Sequence, residues 1–326
     1  MDNHFLTEIE IEKFKCFSNF KAEGFKRVNL IGGENNVGKT AFMEACYVNV
    51  GGTSVNHILT LLVNIKFMRE SVNLMNEHTT KIKPFDPNRL LEATKNYSTS
   101  SNVNQVKYFL NEGDAKKEHS FQIKENELIE INAKDMVIFA VYKSNVAFID
   151  NFGWGDNELI EAYSAIQKQN KENELNIFIR EFDNSIENFK IIGGSKPQGE
   201  VNGEYRDITE FGDGLRHYIS IICALYACEN GYLFIDEIDN GIHYTQHDRL
   251  WELIFELSEK TNCQVFAITH SKEMLESFAR VAKKLGEQDI SYTTLVKNKQ
   301  QEIKAITRDY EMLLDSIEQE REVRGW

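Results

Sequence analysis

The chain has 326 residues, 41% of them hydrophobic and 27% charged, a composition that indicates a folded globular protein and excludes a disordered or fibrous one. Its 37 Lys and Arg residues stand against 51 Asp and Glu residues, giving a formal net charge of −14. A protein that holds DNA through a broad basic surface has the opposite balance. Any contact with nucleic acid is therefore expected to be local or shared with a partner.

The sequence shows no pattern typical of export or of a membrane span. Met1 to His4 lead directly into a charged alternating segment, and the longest nearly apolar run, Tyr218 to Cys228, is too short to cross a bilayer. The five cysteines are odd in number and lack C-x-x-C spacing, which argues against a disulfide framework and a zinc ribbon. We expect a cytoplasmic protein with reduced cysteines.

The first elements in chain order form a strand–loop–helix unit. Thr7 to Phe17 alternates isoleucine with charged residues as a half-buried strand does, and a second strand is predicted at Arg27 to Ile31. The chain then reads G-E-N-N-V-G-K-T, followed by the helical segment A-F-M-E-A-C. This is the phosphate-binding pattern G-x-x-x-x-G-K-T, in which glycines let backbone N–H groups point at phosphate oxygens. Its lysine supplies charge and its threonine ligands Mg²⁺. The residues expected to bind phosphate are Gly33, Asn35, Asn36, Val37, Gly38, Lys39, Thr40 and Ala41.

The middle of the chain, residues 51 to 206, gives weaker signals. Helices are predicted from Val55 to Met75 and from Glu158 to Gln169. Four strands are predicted between them: Val106 to Leu110, His119 to Ile123, Glu127 to Ile131 and Val137 to Phe148. The pattern indicates a β-rich arm followed by a helical lid, and the absence of sustained heptads argues against long coiled-coil arms.

A strand late in the chain is followed by the carboxylates that a phosphate-binding loop requires. Tyr232 to Ile235 are apolar, and Asp236 and Glu237 follow them directly. A buried strand would bring Asp236 to its carboxyl end, where the carboxylate can hold Mg²⁺ through water. Glu237 would then face an attacking water and is the expected general base. A solvated turn also explains an isolated Asp-Glu pair, but it is disfavoured beside a phosphate-binding loop.

Two further motifs flank this acidic strand. Before it, the glycine-containing turn F-G-D-G-L-R at Phe211 to Arg216 opens an apolar helix predicted from Leu215 to Glu229. After it, a helix is predicted from Gln246 to Lys260, and the buried strand Gln264 to Thr269 ends at His270. A histidine at this point can sense a γ-phosphate, although a lone histidine after a strand is more often structural.

In this order the motifs resemble those of ABC-type AAA family ATPases of the OLD and RecF/SMC group. The segments that carry the resemblance are I-E-I-E-K-F-K-C-F, V-N-L-I-G-G-E-N-N-V-G-K-T-A, G-D-G-L-R, L-F-I-D-E-I-D-N-G-I-H and F-A-I-T-H-S. They cover roughly residues 7 to 50 and 207 to 326. The resemblance implies ATP and Mg²⁺ as cofactors, with Thr40 and Asp236 at the metal. The catalytic residues it implies are Lys39, Glu237 and His270.

The resemblance also implies a site shared between two subunits. Gly212, Asp213 and Gly214 would form a signature turn that faces the γ-phosphate held by the opposite subunit, and Asp239 would lie in a loop that crosses to it. The signature serine of ABC transporters is absent, with Gly212 in its place, so this contact would rely on backbone N–H groups and Arg216. The glutamine that usually ligands Mg²⁺ has no evident counterpart, and the candidates are Gln105 and Gln122.

The remaining cation and histidine patterns have ordinary explanations. His243 and His247 are spaced i to i+4 but lack the glutamate of H-E-x-x-H, so a zinc site is disfavoured. The cluster Lys297, Lys299 and Lys304 is better explained by a solvated turn than by DNA binding. After His270 the sequence predicts a helix, two strands and a last helix, at Lys272 to Leu285, Ile290 to Val296, Glu302 to Thr307 and Tyr310 to Glu322. The nuclease domain of OLD-like proteins would not fit there.

We therefore predict an α/β fold, an ABC-type P-loop NTPase head with a mixed sheet. Its core would be discontinuous, residues 1–50 and 207–326, interrupted by an arm and lid subdomain at residues 51–206. The predicted function is a switch subunit that binds and hydrolyses ATP and dimerises head to tail around ATP–Mg²⁺. It would act as a sensor or regulator in a bacterial antiviral defence or toxin-type system, with a separately encoded effector such as a nuclease.

Two alternatives to this function stay open. One is a RecF-like DNA-repair ATPase, against which the acidic balance weighs. The other is a scaffold that binds ATP with negligible hydrolysis, which the missing serine and glutamine would fit.

Overall fold

The computed structural model describes residues 4–52, 61, 65, 104–112, 115–124, 127–133, 145–151, 153–194 and 196–319, with residues 104–133 described by their backbone alone. The strands, in chain order, are β1 (Glu8–Phe14), β2 (Phe17–Glu23), β3 (Val28–Gly33), β4 (Asn104–Glu112), β5 (Ala115–Lys124), β6 (Glu127–Ala133), β7 (Val146–Ile149), β8 (Asn188–Ile192), β9 (Lys196–Val201), β10 (Glu204–Asp207), β11 (Tyr232–Ile235), β12 (Gln264–Ile268), β13 (Ile290–Lys297) and β14 (Ile303–Asp309). The helices are α1 (Lys39–Gly51), α2 (Asp156–Lys168), α3 (Glu172–Phe182), α4 (Asp213–Ala227), α5 (His247–Lys260), α6 (Lys272–Leu285) and α7 (Tyr310–Glu318).

The central element is a six-stranded mixed sheet in the order β14-β13-β3-β12-β11-β7. Its inner strands run parallel, and only β14 returns antiparallel, as the second strand of a hairpin with β13. Every residue of β11 and β12 is buried, and all but Gln264 are apolar, as expected for parallel strands that are covered on both faces. The carboxyl ends of β3, β7, β11 and β12 therefore meet at one edge of the sheet.

The two faces of the sheet are covered by different elements. One face packs against α1 and the β1–β2 hairpin, where Phe42, Phe234 and Phe266 are fully buried. The other face packs against α4, α5 and α6, where Tyr218 and Trp251 are fully buried. This three-layer arrangement leaves the carboxyl edge of the parallel strands as the exposed rim on which a site can form.

In the described part of the chain, three smaller sheets accompany the central one: the hairpin β1–β2, β4-β5-β6, and β8-β9-β10. The three strands predicted between residues 106 and 131 are confirmed as β4, β5 and β6. The sequence did not predict β2, α3 or the sheet β8-β9-β10. The helix predicted from Val55 to Met75 lies outside the described residues except for residues 61 and 65, which are helical.

One strand of the predicted arm belongs to the central sheet. Of the strand predicted from Val137 to Phe148, residues 137–144 lie outside the description, and β7 pairs in parallel with β11 as the edge of the core. The division into a core and a 51–206 insertion stays a prediction, but the core sheet does contain a segment from inside that range. Among the described helices, none is long and apolar enough to cross a lipid bilayer.

Candidate functional site

The phosphate-binding loop joins the end of β3 to the start of α1. Gly33 has φ 137°, and a Cβ there would lie 2.4 Å from the carbonyl oxygen of Leu295 in the neighbouring strand. Gly38 caps α1 without a side-chain hydrogen bond, so no capping side chain occupies the N–H groups of the first helical turn. The loop thus forms a glycine-lined cradle at a helix N-terminus, the geometry that binds phosphate.

Lys39 is buried at this cradle and is held by the loop itself. Its Nζ donates hydrogen bonds to the carbonyl oxygens of Gly33 and Glu34, both at 2.8 Å. Burial lowers the pKa of the ammonium to about 8, and the nearby Asp236 and Glu237 carboxylates oppose that shift. Such a lysine can exchange loop carbonyls for phosphate oxygens without moving far.

The predicted metal ligands lie together at the carboxyl edge of the sheet. The Thr40 hydroxyl is 3.4 Å from Asp236 Oδ1, although the two residues are far apart in sequence. The backbone N–H of Asp236 donates to the carbonyl of Ile149 at 2.9 Å, which continues the β7–β11 ladder to the site. A hydroxyl and a carboxylate oxygen at this separation are the hard oxygen donors that suit Mg²⁺.

The predicted base and γ-phosphate sensor border one cavity. Its volume is about 410 Å³, and its lining residues are Asn35, Glu237, Asp239, Asn240, Gly241 and His270. Glu237 has φ 51°, a left-handed conformation that costs a non-glycine residue about 1–3 kcal/mol and is typical of functional sites. The strain turns the chain immediately after Asp236, so that the two adjacent carboxylates can serve different roles.

His270 lies two residues after the end of β12, and its neighbour Thr269 is hydrogen-bonded to the loop that carries Asp239. The Thr269 hydroxyl donates to Asp239 Oδ1 at 2.6 Å. Burial, with the charge of Lys39 adding to it, lowers the pKa of His270, so the imidazole is neutral at physiological pH. A neutral imidazole at this position has one N–H to donate towards a phosphate oxygen.

The predicted signature turn stands beside this cavity and does not line it in the described part of the chain. Gly212 has φ 86° and precedes α4, and Asp213 is the first residue of that helix. Gly214 approaches the next loop so closely that a Cβ on it would lie 2.0 Å from the Gly241 carbonyl oxygen. The turn therefore packs against the Asp239 loop of its own chain.

Arg216 makes two hydrogen bonds within its own chain, and its predicted contact to a second subunit stays a prediction. Its Nε donates to the carbonyl oxygen of Trp154 and its Nη2 to Asp156 Oδ1, each at 2.7 Å. Two of the five N–H donors of the guanidinium are thus used within its own chain, by a carbonyl and a carboxylate.

The structure adds residues that the sequence did not single out. Asp150 follows β7 and occupies the register position next to Asp236, because Ile149 pairs with Ile235. The signal was an apolar run ending in an acid, the pattern also seen before Asp236, but it was assigned to the arm. Gln105 and Gln122 pair with each other across β4 and β5, in a different sheet, and a role for either at the metal stays a prediction.

Lys15 and Lys297 also border the phosphate-binding loop. Lys15, in the turn between β1 and β2, pairs with the buried Glu44 of α1. Lys297 is the last residue of β13, and its Nζ lies 3.5 Å from the carbonyl oxygen of Asn36 in the loop. Lys297 is exposed, so its interpretation as part of a solvated turn is compatible with this contact.

A family model described as an AAA ATPase domain matches residues 64–275, which is more than half of the chain. The chain belongs to the AAA ATPase domain family. A curated relative named "ATP/GTP phosphatase", from Helicobacter pylori (strain ATCC 700392 / 26695), is 25% identical over 355 residues and covers 94% of this chain and 95% of that protein. The matched range begins after the phosphate-binding loop, whereas the relative aligns with nearly the whole chain.

Solved structures show the fold independently. The SMC head domain from Thermotoga maritima superposes with a TM-score of 0.50 at 15% identity, covering 93% of this chain and 98% of that one. An SMC head bound to the C-winged helix domain of ScpA superposes with a TM-score of 0.56 at 12% identity, covering 94% and 99%. The predicted fold, an ABC-type head with a mixed sheet, is confirmed.

Proposed function

We propose that the chain binds ATP with Mg²⁺ at the carboxyl edge of the central sheet and hydrolyses it. The observation that carries this proposal is the convergence, from three distant parts of the sequence, of Lys39 and Thr40, Asp236 and Glu237, and His270. The family match and the named relative support the same chemistry.

Each residue has a role that its position supports. Lys39 and the N–H groups of the cradle bind the phosphates, and Thr40 and Asp236 hold Mg²⁺, which neutralises charge on the phosphate oxygens. Glu237 accepts a proton from the attacking water, and the neutral His270 donates a hydrogen bond to the transferred phosphate. The hydroxyl and carboxylate donors present fit Mg²⁺, and the glycine cradle fits a phosphate.

The signature turn supports a head-to-tail dimer. Gly212, Asp213 and Gly214 do not line the cavity bordered by Glu237 and His270, and in a head-to-tail dimer they would face the nucleotide of the other copy. Each site would then be complete only in the dimer, and hydrolysis would open it. One structural neighbour is an SMC head bound to part of ScpA, which supports a separate protein partner for this chain as well.

The narrower role and location rest on the sequence resemblance. We keep as the proposal a cytoplasmic sensor or regulator in an antiviral or toxin-type system, acting with a separately encoded effector such as a nuclease. A neighbouring reading frame that encodes such an effector would support it.

The test of the proposed function is Glu237→Gln. Removing the base should lower phosphate release about 10²–10⁴-fold while ATP binding persists, so the ATP-bound dimer should accumulate. Light scattering after gel filtration with ATP and Mg²⁺ measures the dimer, and a phosphate-release assay measures turnover. Glu273→Gln is the matched control, because Glu273 borders an adjacent cavity but not this one.

Two outcomes would contradict parts of the proposal. A Glu237→Gln protein that stays monomeric at saturating ATP and Mg²⁺ would refute the dimer. Wild-type protein that binds ATP but releases no phosphate would refute hydrolysis and favour the scaffold alternative.

A further inference from the structure

The side chain of Arg216 contacts residues of its own chain. It lies in the first turn of α4, immediately after the signature turn, and is only 15% exposed. Its two hydrogen bonds, to the Trp154 carbonyl and to Asp156, join the start of α4 to the start of α2. Because the guanidinium is planar and both bonds are short, this contact fixes the orientation of the α4 N-terminus.

The loop that Arg216 contacts, between β7 and α2, is also hydrogen-bonded to the catalytic edge of the sheet. It leaves β7 at Ile149, whose carbonyl accepts the backbone N–H of Asp236 at 2.9 Å. The Asn240 side-chain amide donates to the carbonyl of Asn151 in the same loop. The metal-binding end of β11 and the loop after it are thus bonded to the residues that precede Trp154.

Trp154 secures the far end of this loop. Its indole N–H donates to the Phe148 carbonyl of β7 at 3.0 Å, and its backbone N–H donates to the Ser220 hydroxyl at 3.0 Å. The Ser220 hydroxyl in turn donates to the Arg216 carbonyl at 2.8 Å. The loop therefore bridges β7 and α4 through a continuous set of hydrogen bonds, with Arg216 as the one cationic member among these contacts.

A second contact places the signature turn against the same edge. The close approach of Gly214 to Gly241 leaves no room for a side chain between the turn and the loop after Glu237. The turn is held on one side by the Asp239–Gly241 loop and on the other by Arg216. These two contacts connect the signature turn physically to the catalytic edge of its own chain.

We propose that Arg216 is a positioning residue, which sets the place of the signature turn relative to Asp236 and Glu237 of its own chain instead of contacting the nucleotide of a second subunit. The inference rests on the proposed ATPase dimer and deepens it. Each subunit would present its signature turn to the nucleotide of its partner. The position of that turn would be set by the carboxyl edge of the subunit's own central sheet, where its own nucleotide binds.

The experiment compares Arg216→Ala, Arg216→Lys and Asp156→Ala, each measured for ATP affinity, dimer affinity and steady-state turnover. Dimer affinity is measured in the Glu237→Gln background, where hydrolysis is slow. We expect ATP affinity of the monomer within about twofold of the parent, because no contact to the phosphate-binding loop changes. Loss of a hydrogen-bonded charge should weaken the dimer and lower kcat roughly tenfold or more in Arg216→Ala, with the KM for ATP unchanged. Arg216→Lys keeps the positive charge, so it should lose less dimer affinity and less kcat than Arg216→Ala.

Asp156→Ala distinguishes positioning from direct contact. If Arg216 acts through the loop, Asp156→Ala weakens the dimer too, and it adds little in the Arg216→Ala background because the two residues form one contact. Glu158→Ala is the matched control, since it removes another acidic side chain from the first turn of α2. Asp156 is 45% exposed, so this variant is expected to fold even where Arg216→Ala does not.

Three results would overturn the inference. The first is dimer affinity and kcat in Arg216→Ala equal to the parent values. The second is loss in Arg216→Ala with none in Asp156→Ala, which would assign Arg216 to the partner's nucleotide. The third is an equal loss in Asp156→Ala and Glu158→Ala, which would indicate only a damaged helix. A wild-type protein that neither binds ATP nor dimerises would refute the proposed function itself, a result separate from these three.

Discussion

His217 is a buried histidine one residue after Arg216. It is 1% exposed, and neither ring nitrogen has a hydrogen-bond partner among the described residues. Burial lowers its pKa from 6.5 to about 4, because no partner stabilises the charged form. The imidazole is therefore neutral in the folded protein and protonates readily only when the chain unfolds.

This difference predicts acid sensitivity. Between pH 6.5 and about 4 the unfolded chain binds a proton at His217 that the folded chain does not, so the free energy of unfolding decreases as the pH falls through that window. The loss from this residue should be about 2 kcal/mol between pH 7.5 and pH 5. Urea unfolding of wild type and His217→Leu at pH 7.5 and pH 5 measures it. Equal pH dependence in the two proteins would contradict the prediction.

Arg27 joins three elements behind the site. It precedes β3, is buried, and donates to the Phe255 carbonyl at 2.9 Å and to the Ser258 hydroxyl of α5 at 2.8 Å. It also pairs with Glu287 in the segment after α6. The amino end of the strand that carries the phosphate-binding loop is thus attached to α5 and to the segment that follows α6.

Removing this attachment should destabilise the fold without changing the chemistry. Arg27→Leu leaves the half-buried Glu287 without its cation and should lower the free energy of unfolding by about 3–5 kcal/mol. Glu287→Gln keeps a hydrogen-bond acceptor and should lose less. Urea denaturation measures both, with ATP affinity below the transition as the internal control. A loss under about 1 kcal/mol for Arg27→Leu would show that the contact contributes little.

Elements with a strong local pattern could be predicted, and those defined by distant pairing could not. The helix at Lys272–Leu285 was predicted to the residue, because Ser271 caps its start and Gly286 its end. The strand β7 was placed in the arm, because four residues carry no information about which sheet they join. The same limit hid Asp150, whose position beside Asp236 exists only through the β7–β11 pairing.

At the scale of the whole molecule, too, features with a local sequence pattern could be predicted and contacts between distant residues could not. Motif order sufficed to predict the ABC-type head and the grouping of Glu237 with His270, since carboxyl ends of parallel strands meet at one edge. The cis contacts of Arg216 could not be predicted, because its partners lie in a loop with no motif of its own. The net negative charge alone could not identify a binding partner.

Surface charge at the scale of the whole chain favours a protein that does not hold DNA. The formal net charge is −14, and many described cations are paired with carboxylates on the surface. Among them are the pairs Lys272–Glu276, Lys283–Glu318 and Lys284–Glu252. Cations so paired give little net positive potential for phosphates to follow.

The purified chain should therefore bind duplex DNA more weakly than about 10⁻⁴ M at physiological salt, the weak limit of ordinary non-specific binding. Fluorescence anisotropy with a labelled duplex measures this, for wild type and for the ATP-bound Glu237→Gln protein, because a dimer could create a groove that the monomer lacks. Repeating the measurement from about 50 to 200 mM salt tests for phosphate contacts. Each contact to a phosphate releases counterions from the DNA, so more contacts make the affinity decrease more steeply with salt. Micromolar binding with a steep salt dependence in the ATP-bound state would contradict the prediction and favour the RecF-like DNA-repair alternative.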